Sequence, residues 1–237
     1  MTVPKHVAVI MDGNRRFSRR LMAKPWKGHE WGAEKVLDFL TWCRELGVAE
    51  ATLYAFSVQN FERTAQEFSA LMDIFVASFE KLKKRFDEKV PGDAIATDAR
   101  IVFIGRLTMF PPRVQAIMTE LMETSAQNTA FRVNIAMGYG GREEVIDAVR
   151  RIGEQVASGS LAVADINDAV FENALYMDSE PDLVIRTGGE RRTSNFLLWQ
   201  AHYSEWVFLE KLWPEFEKED FISAVNSYSA RERRFGK

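Results

Sequence analysis

The chain has 237 residues, 46% of them hydrophobic, with a formal net charge of −3 and one cysteine, Cys43. The slight negative balance excludes a general nucleic-acid binder, and a single cysteine excludes an internal disulfide or a multi-cysteine metal site. No apolar run reaches the roughly 18 residues that span a bilayer, and with no signal peptide the expected setting is cytoplasmic.

Taken in order, Val7–Met11 reads as a buried strand, and Glu30–Leu46 as a helix stopped by Gly47. Ala51–Ser57 is a second strand, and a long helix follows from Thr64, where Thr64 and Glu67 form a capping box. Ile101–Gly105 is a third strand, with a helix opening at Pro111-Pro112. Phe131–Met137 is a fourth, and Gly141 leads into a helix ending near Ser158. Leu183–Thr187 and Trp206–Leu209 complete six strands, and a charged helix from about Glu217 to Arg234 closes the chain. Nothing in the composition splits 1–237 into more than one domain. Short apolar strands alternating with helices predict an α/β fold, a central mostly parallel six-stranded sheet flanked by helices on both faces.

Ligands of such sheets bind beyond the carboxyl ends of the strands. Strand one ends in Asp12-Gly13-Asn14-Arg15-Arg16, and strand two in Ser57 with Asn60 and Arg63 just after. Strand four ends in Gly138-Tyr139-Gly140-Gly141-Arg142. Strand five ends in Arg186-Thr187-Gly188-Gly189, then Arg192 and Ser194. Guanidinium forks match phosphate oxygens, and glycine lets backbone amides approach them. Four such ends on one edge predict a site for more than one phosphate group. Asp12 among these arginines is placed to hold Mg²⁺ through a carboxylate and substrate oxygens, with Glu205 a candidate second ligand.

Spacing removes several other chemistries. There is no G-x-x-x-x-G-K-[ST] loop and no G-x-S-x-G elbow. Gly138-Tyr139-Gly140 lacks the third glycine of a dinucleotide fingerprint, and Ala33 stands where a zinc-protease motif begun by His29-Glu30 needs a second histidine.

The stretches HVAVIMDGNRR (6–16), GHEWGAEKV (28–36), LYAFSVQNFER (53–63), NIAMGYGGREE (134–144), DLVIRTGGERRTSNFLLWQ (182–200) and RERRFG (231–236) resemble the cis-prenyltransferase family, of the undecaprenyl diphosphate synthase type. The resemblance implies the cis-prenyltransferase fold and a sequential condensation. Isopentenyl diphosphate adds to an allylic diphosphate with a new cis double bond and release of pyrophosphate, giving a long-chain polyprenyl diphosphate, a lipid-carrier precursor. It implies Mg²⁺ as cofactor, held by Asp12 and Glu205, with Asp12 also assisting departure of the diphosphate. Gly13, Asn14, Arg15, Arg16 and His29 would bind the allylic diphosphate. Arg186, Arg192 and Ser194 would bind isopentenyl diphosphate. Ser57, Asn60, Phe61 and Arg63 match positions near the reacting centre, Asn60 among the catalytic ones. The Arg234-Phe235-Gly236 tail resembles one that reaches a diphosphate across a dimer interface, so a homodimer is expected, with peripheral membrane contact and no nucleic acid. Pro25 departs from the family pattern, which usually has arginine there.

Other residues have plainer readings. Phe68, Leu71, Met72, Phe75, Val76, Phe79 and Leu82 form a helical stripe that periodicity alone assigns to the core. The resemblance places a product tunnel beside it, where Phe75 and Phe79 could limit chain length. Arg19 and Arg20 read as a solvated helix face, and Lys81–Arg85 as a solvated helix end that could touch anionic lipid. A non-catalytic subunit of a heteromeric synthase is the rival, but the DGN aspartate and R-T-G-G-E are intact. A phosphatase using Asp12 as nucleophile would want an acid where Asn14 stands.

Overall fold

A strand buried on both sides must be covered on both faces, and the computed structural model, which describes residues 2–88 and 93–230, is built this way. Its strands are β1 (His6–Ile10), β2 (Glu50–Ser57), β3 (Ala99–Ile104), β4 (Phe131–Tyr139), β5 (Leu183–Arg186) and β6 (Glu205–Phe208). Its helices are α1 (Asn14–Arg20), α2 (Lys27–Leu46), α3 (Ala65–Glu88), α4 (Ala94–Asp98), α5 (Pro112–Ser125), α6 (Gly141–Ala157), α7 (Asp168–Ala174) and α8 (Lys218–Ala230). The sheet order is β3-β4-β2-β1-β5-β6, and every pairing among the described residues is parallel. The six expected strands are present, in a sheet more uniform than "mostly parallel". The tail at Arg234-Phe235-Gly236 lies outside the described residues.

Alternation along the strands divides the core in two. Val7 and Val9 of β1, with Leu183 and Ile185 of β5, join the large cluster shared with Phe39 and Leu40 of α2 and Leu71 and Phe79 of α3. Ala8, Ile10 and Val184 face the other way, toward Tyr139, Phe196 and Leu197.

Two features of this frame position the site. First, β1 lies beside β5, but the chain leaves β1 toward β2 on one side and leaves β5 toward β6 on the other. The carboxyl ends of β1 and β5 are therefore a topological switch point, where a crevice opens in such sheets. Second, α2 packs onto α1 with almost no room between them. A Cβ on Gly28 would stand 1.9 Å from the Asn14 carbonyl oxygen, and one on Gly32 would stand 2.3 Å from Asn14 Oδ1. The glycines of GHEWG are there for this close approach. The helix α2 begins at Lys27, three residues before the expected start, so both glycines lie within it.

Candidate active site

Asp12 leaves β1 at the switch point. Its amide donates to the Ile10 carbonyl (2.9 Å), and its own carbonyl accepts from Thr187 Oγ1 (2.8 Å) and the Trp213 amide (3.0 Å). The carboxylate is thus aimed by its backbone. Oδ2 accepts from Arg186 Nη2 at 2.8 Å and Oδ1 from Arg16 Nη2 at 3.2 Å. The register puts Arg186 opposite Ile10, so the pairing of β5 with β1 dictates this contact. The Arg186 side chain is only 3% exposed, and its other η nitrogen donates to Ser194 Oγ (2.7 Å) and the Arg192 carbonyl (2.5 Å). One guanidinium therefore ties the DGNRR loop to the loop after β5.

On the facing side, Arg63 donates to Glu67 Oε1 (2.5 Å) and lies 3.3 Å from His29 Nε2. Arg15 Nε stands 3.5 Å from the same Glu67 oxygen. Burial, then the guanidinium groups of Arg63 and Arg15, pull the His29 pKa down to about 3, so His29 is neutral at physiological pH. The folded state therefore refuses a proton that the unfolded chain accepts below its ordinary pKa of 6.5, and stability falls as pH drops from 6.5 toward 3. Urea titrations should show about 2 kcal/mol lost to this group between pH 6.5 and 4.5. His29→Gln should flatten that part of the profile, and an unchanged slope in the variant would show that His29 is not the group responsible.

The remaining residues expected in the site divide by position. Asn14 donates to the Met11 carbonyl at 3.2 Å, and its Oδ1 is buried with no hydrogen-bond partner. Ser57 and Asn60 cap each other in a short 3-10 turn, Asn60 Oδ1 accepting from the Ser57 amide at 3.0 Å. Irregular pairing of β2 with β4 at Phe56 and Ser57 turns the strand end there. Phe61 packs on Phe56, Phe68 and Phe110, with ring centroids 5.0, 5.7 and 5.1 Å away. It supports an aromatic wall and is absent from the cavity lining. Arg192 is exposed at the crevice rim and pairs with Glu190.

Glu205 is not brought to Asp12 within the chain. It is the first residue of β6, opposite Leu183, which in turn lies opposite Val7. Asp12 is five residues further along, on the order of 15 Å at about 3.3 Å per residue, and β5 stands between the two strands. The strand was expected to begin at Trp206, and the alternation did not reveal which end of it faces the crevice. Among the described residues no group of three or more His, Cys, Asp or Glu is placed to hold a metal. The donor set within one chain that suits Mg²⁺ is Asp12 with substrate oxygens and water, which is how this cation is commonly held.

Behind the polar mouth lies a cavity of about 760 Å³ between α2, α3 and the sheet. Asp12, His29, Arg63 and Arg186 stand at its mouth, and Leu37, Leu53, Phe56, Ile74, Phe75 and Phe79 are among its walls. Of the α3 stripe, Leu71, Phe75, Phe79 and Leu82 line it, while Phe68, Met72 and Val76 pack elsewhere. In the sequence Glu67 shows only as the partner of Thr64 in a capping box. Its amide does bond to Thr64 Oγ1 (3.3 Å), but its carboxylate brackets Arg63 and Arg15 instead of closing the box.

The prenyltransferase family model for undecaprenyl diphosphate synthases matches residues 10–236. The tritrans,polycis-undecaprenyl-diphosphate synthase (geranylgeranyl-diphosphate specific) of Thermococcus kodakarensis is 43% identical over 237 residues, covering 99% of this chain and 88% of its own. The isoprenyl transferase of Thermus thermophilus is 40% identical over 241 residues, covering 99% and 89%. The crystal structure of lavandulyl diphosphate synthase from Lavandula x intermedia, in complex with dimethylallyl diphosphate, matches with a TM-score of 0.92 at 32% identity over 99% of both chains.

Proposed function

Because the chain belongs to the undecaprenyl diphosphate synthase family of prenyltransferases, we propose that it adds isopentenyl diphosphate to an allylic diphosphate in successive cis condensations, releasing pyrophosphate and building a long-chain polyprenyl diphosphate. The observation that carries this reading is the apolar cavity whose mouth bears Asp12, Arg186, His29 and Arg63. A ligand that fits it is long, apolar and anionic at one end. Burying a five-carbon unit is worth about 4 kcal/mol at ~0.8 kcal/mol per buried CH₂, so each addition is held more firmly than the last.

Arg15, Arg16, Asn14 and the loop at Gly13 would hold the allylic diphosphate, with neutral His29 and Arg63 beside it. Arg186, Arg192 and Ser194 would hold isopentenyl diphosphate. The allylic C–O bond breaks and pyrophosphate takes its electron pair. The double bond of isopentenyl diphosphate then attacks the allylic carbon, and loss of a proton sets the new cis double bond. Fixed positive charge at the departing oxygens lowers this barrier without reorganisation. Magnesium bound at Asp12 would add a further Lewis acid where the negative charge develops. Asn60, held by Ser57, would stand near the reacting carbons.

A homodimer is part of this reading, and Glu205 could then serve only an Asp12 on another copy. Among the described residues no helix is long and apolar enough to cross a membrane. Peripheral contact through Lys81–Arg85 has little support, because Lys83, Lys84 and Arg85 are paired with Asp87, Glu88 and Asp93.

The test is elongation with radiolabelled isopentenyl diphosphate and Mg²⁺, trying geranylgeranyl diphosphate first because the Thermococcus relative is named for it. A ladder of labelled polyprenyl products is expected. No product from geranyl, farnesyl or geranylgeranyl diphosphate would overturn the function.

A further inference from the structure

Resting on that reading, we infer that Asn195 is a positioning residue for the isopentenyl diphosphate half of the site. The loop after β5 must present Ser194 and Arg192 to one diphosphate, yet both are exposed. Something has to hold this loop while it is empty.

Among the described residues Asn195 makes three hydrogen bonds, all to the amino end of α6. Its carbonyl accepts from the Gly141 amide at 2.7 Å, its Oδ1 accepts from the Arg142 amide at 2.9 Å, and its Nδ2 donates to Glu143 Oε2 at 2.8 Å. Two of the amides that a helix start leaves unpaired are satisfied from this distant loop. The approach depends on glycine. A Cβ on Gly140 would come within 2.1 Å of Glu143 Oε2 and 2.7 Å of Asn195 Nδ2, and one on Gly141 within 2.7 Å of Leu198 Cγ. The Gly-Gly-Arg-Glu stretch after β4, whose arginine suggested a phosphate contact, is thereby the seat of this clasp.

The backbone here is also constrained. Ser194 and Asn195 have φ of +49° and +62°, in the left-handed region that asparagine tolerates better than most side chains. The next residue, Phe196, is fully buried and stacks on Tyr54 with centroids 4.5 Å apart. Ser194 is thus followed at once by a polar clasp and an aromatic anchor, its Oγ 2.7 Å from Arg186. Among the described residues the hydrogen bonds of Asn195 go to α6, and its link to Asp12 runs only through Ser194 and Arg186, so loosening the clasp falls first on the isopentenyl half of the site.

Steady-state kinetics against each substrate test this. Asn195→Ala is expected to raise the KM for isopentenyl diphosphate about tenfold or more, since small misplacements of binding groups are costly, while the KM for the allylic diphosphate stays within about twofold. Asn195→Asp loses the donor and faces Glu143 with a second carboxylate, so it should show the same selective defect. Adding Glu143→Gln restores a donor to that aspartate and should recover most of the loss. An unchanged isopentenyl KM, a parallel rise in both constants, or a double variant no better than Asn195→Asp would each overturn the assignment. Wild-type elongation run alongside tests the reaction itself, so failure of the clasp and failure of the function remain distinct. If Asn195→Ala does not fold, the aspartate pair still decides.

Discussion

Asp12→Ala is expected to lower kcat by about two to four orders of magnitude while leaving a folded protein. The carboxylate sits where the diphosphate must depart, between Arg16 and Arg186, and no other acid side chain replaces it at the end of β1. The folding cost is set by Arg186, which is buried but keeps Ser194 Oγ and the Arg192 carbonyl as acceptors. Loss of one charged hydrogen bond from three should cost about 1–3 kcal/mol, not the whole stability of a domain. Asp12→Asn keeps an acceptor near Arg186 and should melt closer to wild type with the same collapse in turnover. Single-turnover rates and thermal melts of both variants check this. Near-normal turnover in either one would remove Asp12 from the chemistry.

The second large effect concerns product length. Phe79 lies on α3, stacked on Phe75 (centroids 5.8 Å apart) and edge-on to Phe103 (5.0 Å). All three are bulky, and Phe75 and Phe79 line the cavity. Phe79→Ala should let products extend by one or more five-carbon units beyond the wild-type maximum. Its stability cost should fall at or below the low end of the ~3–5 kcal/mol usual for Phe→Ala, because the new space joins an existing cavity. Filling the cavity instead, with Ala70→Phe on the same helix, should shorten the products. Chromatography of the dephosphorylated alcohols reads both. An unchanged ladder in both variants would mean that chain length is set elsewhere.

Much of the fold could be read from the sequence because its signals are local. Val7–Met11 and Leu183–Ile185 are apolar runs leading into glycine-bearing loops, and the structure makes strands of both. The helices α4 and α7, of five and seven residues, were not anticipated. They are too short for periodicity to register and hold by side-chain caps at Asp93 and Asn167 instead. Asp12 and Arg186 could be assigned to one crevice because both end strands. That they touch depends on β5 pairing with β1, which is a matter of sheet order. Glu205 is of the same kind: at the amino end of β6 it stands on the sheet edge remote from the Asp12 of its own chain, which follows from the parallel pairing of β6 with β5 and not from its neighbours in the sequence. Glu67 and Asn195 were seen only as a helix signal and as part of a motif, because their partners are set by packing between separate elements.

The direction of the cavity has one further consequence. Each condensation joins the newest unit at the diphosphate, so the inner wall near Phe75 and Phe79 never meets that unit. It meets only the oldest end of the molecule, pushed inward by one unit per cycle. Such a wall registers how far the first-laid end has travelled, whatever number of additions brought it there. A shorter starter then takes more additions and a longer one fewer, and both stop at nearly the same total length.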